Sequence, residues 1–110
     1  MEYLVKAQDY LKLKIKDTYR LAHSYRVANI GKEIAEKEGL NVEDLMIACL
    51  LHDVSYCTLF KTQDEWQNHG RVSSKMVREF LESIDYSKER IQNICYAIAI
   101  HVDLKADFDG

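Results

Sequence analysis

Apolar residues recur at three- and four-residue spacing in five stretches of the chain, each separated from the next by a polar break. This rhythm predicts five helices. The first covers residues 2–15, and the second runs from Thr18 to Glu38, where Gly39 is placed to take the left-handed backbone that ends a helix. A third follows Asn41, whose side chain can cap it, with Asp44 at the third helical position near the positive end of the dipole. The fourth runs from about Asn68 to Ser83, and Ser87 can cap a fifth from Lys88 to about His101. Between Val54 and Gln67 the period is lost among Ser, Thr, Gln, Asp and aromatics, which predicts a loop or short irregular helix. Residues 103–110 read as a frayed terminus.

Composition strengthens the helical reading. Proline is absent, only 4 of 110 residues are glycine, and Leu, Ile, Ala, Glu and Lys dominate, so the expected class is all-α. A chain of this length that is 47% hydrophobic suits a single domain, residues 1–110, with its own core. The net charge of −3 provides no basic field of the kind that draws duplex nucleic acid or an anionic membrane. No apolar run approaches the roughly 20 residues of a membrane span, and no signal-peptide block opens the chain, so a cytoplasmic location is expected. Cys49, Cys57 and Cys95 form no CxxC pair, and Cys49 and Cys95 fall inside apolar helical patterns as small hydrophobes.

The chemistry concentrates on the histidines. His23 is in register with Val27, Ile30 and Ile34; His52 with Leu45, Ala48 and Cys49; His69 with Val72, Met76 and Phe80; His101 with Ile94, Ala97 and Ile98. One histidine on an apolar face is ordinarily a core residue satisfied by a backbone carbonyl. Four on four helices predict a shared polar cluster inside a bundle, the arrangement from which helical bundles build metal sites. In LMIACLLHDV an apolar run ends in the adjacent pair His52–Asp53, and a carboxylate buried there needs a counter-charge. Neighbouring helical residues point about 100° apart, so both reach one ion only if it lies beyond the helix end. Imidazole plus carboxylate suits Fe, Mn, Ni, Co or Zn better than Ca or Mg. Arg26, one turn after His23, is a candidate phosphate clamp, with Lys61 a weaker one, and both can equally be solvated surface cations. Asp64 and Glu65 are candidate general bases on the loop.

Taken in order, four segments resemble the HD superfamily of metal-dependent phosphohydrolases: AHSYRVANIGKEIAEKEGL, LMIACLLHDVSY, NHGRVSSKMV and AIAIHVD. The resemblance implies an HD-like bundle of about five helices in which His23, His52 and Asp53 hold a divalent transition metal, joined in most members by a distal aspartate. It also implies that His69 and His101 hold a second ion or contact the substrate phosphate, giving one or two ions in all. The reaction implied is attack by a metal-bound water on a phosphate ester or anhydride, with Asp53 and His69 in catalytic roles and Arg26 beside them. A small phosphorylated metabolite or a nucleotide is the implied substrate.

Two departures qualify the match. The family's distal aspartate usually lies some twenty or more residues past the last histidine, whereas Asp103, Asp107 and Asp109 follow His101 closely, so the chain is expected to lack the distal helix. A three-ligand site, a ligand borrowed within a homo-oligomer, and a catalytically impaired module binding a nucleotide or protein partner all stay open. Tyr56 also stands where an acidic residue is frequent in the nucleotidase-like and alarmone-hydrolase branches, which lowers the weight of both. Tyr3, Tyr10 and Tyr19 are left between core and interface.

Overall fold

A computed structural model describes residues 2–57 and 69–99. Its described residues form five α-helices, α1 (Glu2–Lys14), α2 (Thr18–Glu38), α3 (Val42–Leu51), α4 (His69–Ser83) and α5 (Lys88–Ala99), with a 3₁₀ turn at Val54–Cys57 after α3. The all-α expectation holds, with helix boundaries close to those predicted. Asn41 accepts from the Asp44 amide at 2.9 Å as the cap of α3. Asp17, which the pattern did not single out, caps α2 by accepting from the Tyr19 and Arg20 amides at 2.8 and 3.2 Å.

The helix ends explain why the chain turns where it does. Gly39 adopts φ 72°, and the amides of Gly39 and Leu40 both close back onto the Ala35 carbonyl. At the end of α4 the same left-handed position is taken by Asp85 at φ 58°, with Tyr86 N–H bonded to the Leu81 carbonyl and Asp85 N–H to that of Glu82. Tyr86, the residue after the left-handed one, is buried, which supplies the apolar contact such a stop commonly carries.

Helix α3 is the spine, packing against α1, α2 and α5, while α4 pairs with α5 and covers the 3₁₀ turn. Ile47, Leu50 and Leu51 of α3 meet Ala7 and Leu11 of α1, Val77 and Leu81 of α4, and Ile91, Ile94, Cys95 and Ile98 of α5 in one core. Tyr3 and Tyr10 pack against this core, Tyr10 stacked on Phe80 with centroids 4.4 Å apart, whereas Tyr19 is 72% exposed.

Two of the predicted stripes are displaced. The buried face of α2 is Ser24, Ala28, Gly31 and Ala35, while Ile30 and Ile34 remain 43% and 37% exposed. The reason is how closely α2 and α3 approach: a Cβ added at Gly31 would stand 2.6 Å from Cys49 Sγ and 3.3 Å from the Leu45 carbonyl oxygen. Small side chains permit that contact, so the bulky aliphatics are displaced to its edge. On α4 the fully buried positions are Ser73, Val77 and Leu81; Met76 and Phe80 pack at the core's margin and Val72 is exposed. On α5, Ile94 and Ile98 are buried as the pattern required.

Candidate metal centre

His23 lies in the second turn of α2, on the helix face adjoining the small-residue contact with α3. His52 is the C-cap of α3, still helical at φ −60° and ψ −29°, and Asp53 leads into the 3₁₀ turn. The pair therefore sits beyond the last turn of α3, where neighbouring side chains can converge. There the unpaired carbonyls of the helix end favour a cation.

The three side chains meet. Asp53 Oδ2 is 3.0 Å from His52 Nε2 and 3.8 Å from His23 Nε2, and the two imidazole centroids are 5.5 Å apart. One donor atom from each lies within 4.8 Å of the other two. Metal–ligand bonds of ~2.1 Å put donor atoms about 3–4 Å apart, so the set can close on one ion by small side-chain rotations. His52 and Asp53 are only 9% and 8% exposed, so their charge balance is settled largely without bulk water.

The hydrogen bonding fixes what His52 offers. Its Nδ1 stands 2.6 Å from the Cys49 carbonyl oxygen, which can only accept, so Nδ1 carries the proton. A neutral His52 then points the lone pair of Nε2 at a carboxylate oxygen 3.0 Å away. Two acceptors at that distance need a proton or a cation between them. An imidazole whose Nδ1–H is held by a backbone carbonyl, so that Nε2 is the nitrogen presented to a metal, is one way in which metal-binding histidines are oriented. Residues i and i−3 share a helix face, so the Cys49 carbonyl was reachable from spacing alone, yet nothing in its side chain advertised the role. Burial pushes the Cys49 thiol up to about 11 and raises that of Cys95 as well, so both are neutral packing groups, as their place in apolar patterns suggested.

The other candidates are distributed unevenly. Arg26 is exposed on α2, one turn from His23. The backbone of His69 opens α4, the helix that covers the turn after Asp53, but its side chain lies outside the described residues. His101, Lys61, Asp64, Glu65, Asp103, Asp107 and Asp109 also lie outside the described residues, as does the side chain of Tyr56. The sequence reading missed Gly31, whose place in mid-helix was the available sign of a close approach, and Ser73, whose buried hydroxyl resembled any other helical serine.

An all-helical bundle here presents two histidines and an aspartate from adjoining helix ends, a His–Asp cluster that could hold a metal ion. The chain belongs to the HD domain family, which it matches over residues 20–106, a family of metal-dependent phosphohydrolases. Among curated proteins it is similar to Ribonuclease Y of Mycoplasma mycoides, 31% identical over 111 residues, covering 90% of this chain and 26% of that protein. Ribonuclease Y of Mycoplasma capricolum subsp. capricolum is 32% identical over 108 residues, covering 90% and 21%. The chain thus spans about a quarter or less of the length of these relatives. No solved structure matches it significantly. Among the described residues, no helix is long and apolar enough to cross a membrane.

Proposed function

We propose that this chain is a metal-dependent phosphohydrolase domain that cleaves a phosphate ester, with a phosphodiester as the preferred bond. The observation that carries the reading is the buried Asp53 oxygen facing the lone-pair side of His52, with His23 completing the set. His23, His52 and Asp53 hold one divalent transition ion, Fe, Mn, Ni, Co or Zn, and His69 and His101 bind a second ion or the substrate phosphate. Such an ion supplies Lewis acidity toward phosphoryl oxygen and lowers the pKa of a coordinated water. Asp53 contributes fixed negative charge, and the Cys49 carbonyl keeps the His52 ring in the tautomer that presents Nε2. Exposed Arg26 steers and clamps a phosphate arriving at the mouth beside His23.

The name of the relatives favours a diester over a monoester, and a net charge of −3 favours a small or single-stranded substrate over a duplex. The neutral thiols of Cys49 and Cys95 suit the reducing cytoplasm. The test is hydrolysis of bis(p-nitrophenyl) phosphate, p-nitrophenyl phosphate and a short single-stranded RNA by protein loaded in turn with Mn, Fe, Co, Ni and Zn, beside His52→Ala. Metal-dependent turnover of a diester, lost in His52→Ala, is expected. Bound metal with no turnover above that control would replace the reading with a non-catalytic module.

A further inference from the structure

We propose that Ser73 is a positioning residue for the His52–Asp53 pair, setting it through the backbone of Ser55; the inference rests on the metal-site reading above. The Ser55 amide, two residues past Asp53, donates to Ser73 Oγ at 2.9 Å, and both residues are completely buried. The pair occupies the short passage between the end of α3 at Leu51 and the 3₁₀ turn that begins at Val54, where the α-helical hydrogen-bond ladder has stopped. Upstream, the Cys49 carbonyl holds the His52 ring. Downstream, the Ser73 hydroxyl holds the backbone that carries Asp53 away from it, so the pair is pinned on both sides.

The residue type supports the assignment. A fully buried position in the second turn of α4, one turn before the core residue Val77, would gain from an apolar side chain. Serine there is explained by the Ser55 N–H, whose hydrogen bond its hydroxyl accepts across the core. The bond also joins the metal-binding turn to α4, the helix that His69 opens, so Ser73 sets the level at which that helix meets the site. Ser74, its neighbour, donates to the Cys95 carbonyl at 2.9 Å and ties α4 to α5 instead. The two serines make similar bonds, but only that of Ser73 runs to the turn after Asp53.

That contrast is the experiment. Co(II) is titrated into the metal-free 110-residue chain, reading affinity and visible absorption, for wild type, Ser73→Ala and Ser74→Ala, with thermal melts of each. Ser73→Ala is expected to weaken Co(II) binding about tenfold and to change the ligand-field bands, as loss of an orienting partner does at metal sites. Ser74→Ala is expected to lower the melting temperature while leaving affinity and spectrum at wild-type values. If Ser73→Ala does not fold, Ser73→Cys, similar in size with a weaker acceptor, takes its place and shows the same change in smaller degree. Wild-type affinity and spectrum in the Ser73 variant, or equal losses in both variants, would overturn the positioning role alone. Failure of wild type to take up Co(II) would overturn it together with the metal-site reading.

Discussion

The two ends of α3 each carry an aspartate withdrawn from water, and they resolve its charge in opposite ways. Asp44, in the first turn, receives Arg90 Nε at 2.8 and 3.0 Å on its two oxygens and the Tyr86 hydroxyl on one. Arg90 lies over the Tyr86 ring at 4.6 Å and reaches Glu43 at 3.4 Å, while Tyr3 meets the same ring edge-on with centroids 4.8 Å apart. The positive end of the helix adds to this balance. Asp53, about 12–15 Å further along the same axis, stands at the negative end, and among the described residues its ion pairs are with two imidazoles. At one end Asp44 meets a permanent cation, Arg90; at the other Asp53 meets two histidines that with it could hold a metal ion. A buried carboxylate placed against the helix dipole is costly for stability alone, which is why the second end reads as a site and the first as a clasp.

Neutralising each aspartate should therefore have opposite consequences, and this pair of variants gives the largest contrast. Asp53→Asn is expected to weaken transition-metal binding by more than about 100-fold, since it removes a ligand and not merely an orienting group. The metal-free stability should hold or rise, because an expensive buried charge is gone. Isothermal titration with Co(II) and thermal melts of the metal-free protein measure the two effects. A fall in metal-free stability as large as that from any core substitution would mean that Asp53 is structural. Asp44→Asn, the mirror change, should lower stability by about 1–2 kcal/mol, because a partly exposed ion pair is worth less than a buried one. Its metal affinity should match wild type, and a loss of metal binding would erase the division between the two ends.

Much of this division was legible in the sequence. The His52–Asp53 pair closing an apolar run announced a buried charge that needs compensation, and Asn41 followed by Asp44 announced a capped helix start. Nothing announced Arg90 and Tyr86 as the partners of Asp44, because 46 and 42 residues separate them and only the tertiary fold brings them together. The stripe on α2 was misread for a related reason. Hydrophobic periodicity marks bulky residues, whereas the tightest helix contact here is built from Ser24, Ala28, Gly31 and Ala35. Such a face is nearly silent to any pattern that counts large apolar side chains, although Gly31 in mid-helix was a sign of it.

That contact links α2, which carries His23, to α3, which ends at His52, and yields the next effect in size. Gly31→Ala would bring a methyl within 2.6 Å of Cys49 Sγ, so α2 or Cys49 must shift. A destabilisation of about 1–3 kcal/mol is expected from overpacking. His23 lies two turns from Gly31 on α2, and the Cys49 carbonyl orients His52, so the same shift should loosen metal binding several-fold. Equal stability and equal affinity in a melt and a Co(II) titration would show that the spacing of α2 and α3 does not set the site.

The smallest effect concerns the thiol at that contact. Burial raises the Cys49 thiol from 9.0 to about 11, so as pH rises the unfolded chain gives up this proton before the folded one does. The stabilisation is complete below pH 9 and is lost as pH climbs through about 11, at up to about 1.4 kcal/mol per pH unit. Tyr86 is raised by burial and by its bond to Asp44, and it adds a loss of the same sign that begins near its ordinary pKa. Urea melts between pH 8 and 11 should thus show stability falling more steeply in wild type than in Cys49→Ala, whose slope keeps the Tyr86 share. The alanine variant also relieves the contact with Gly31, so its absolute stability is a separate matter; the difference in slope is what reports the thiol. Parallel slopes would mean that Cys49 ionises in the folded protein as readily as in the unfolded one. The α2–α3 contact would then admit water, and with it the backbone carbonyl that holds His52.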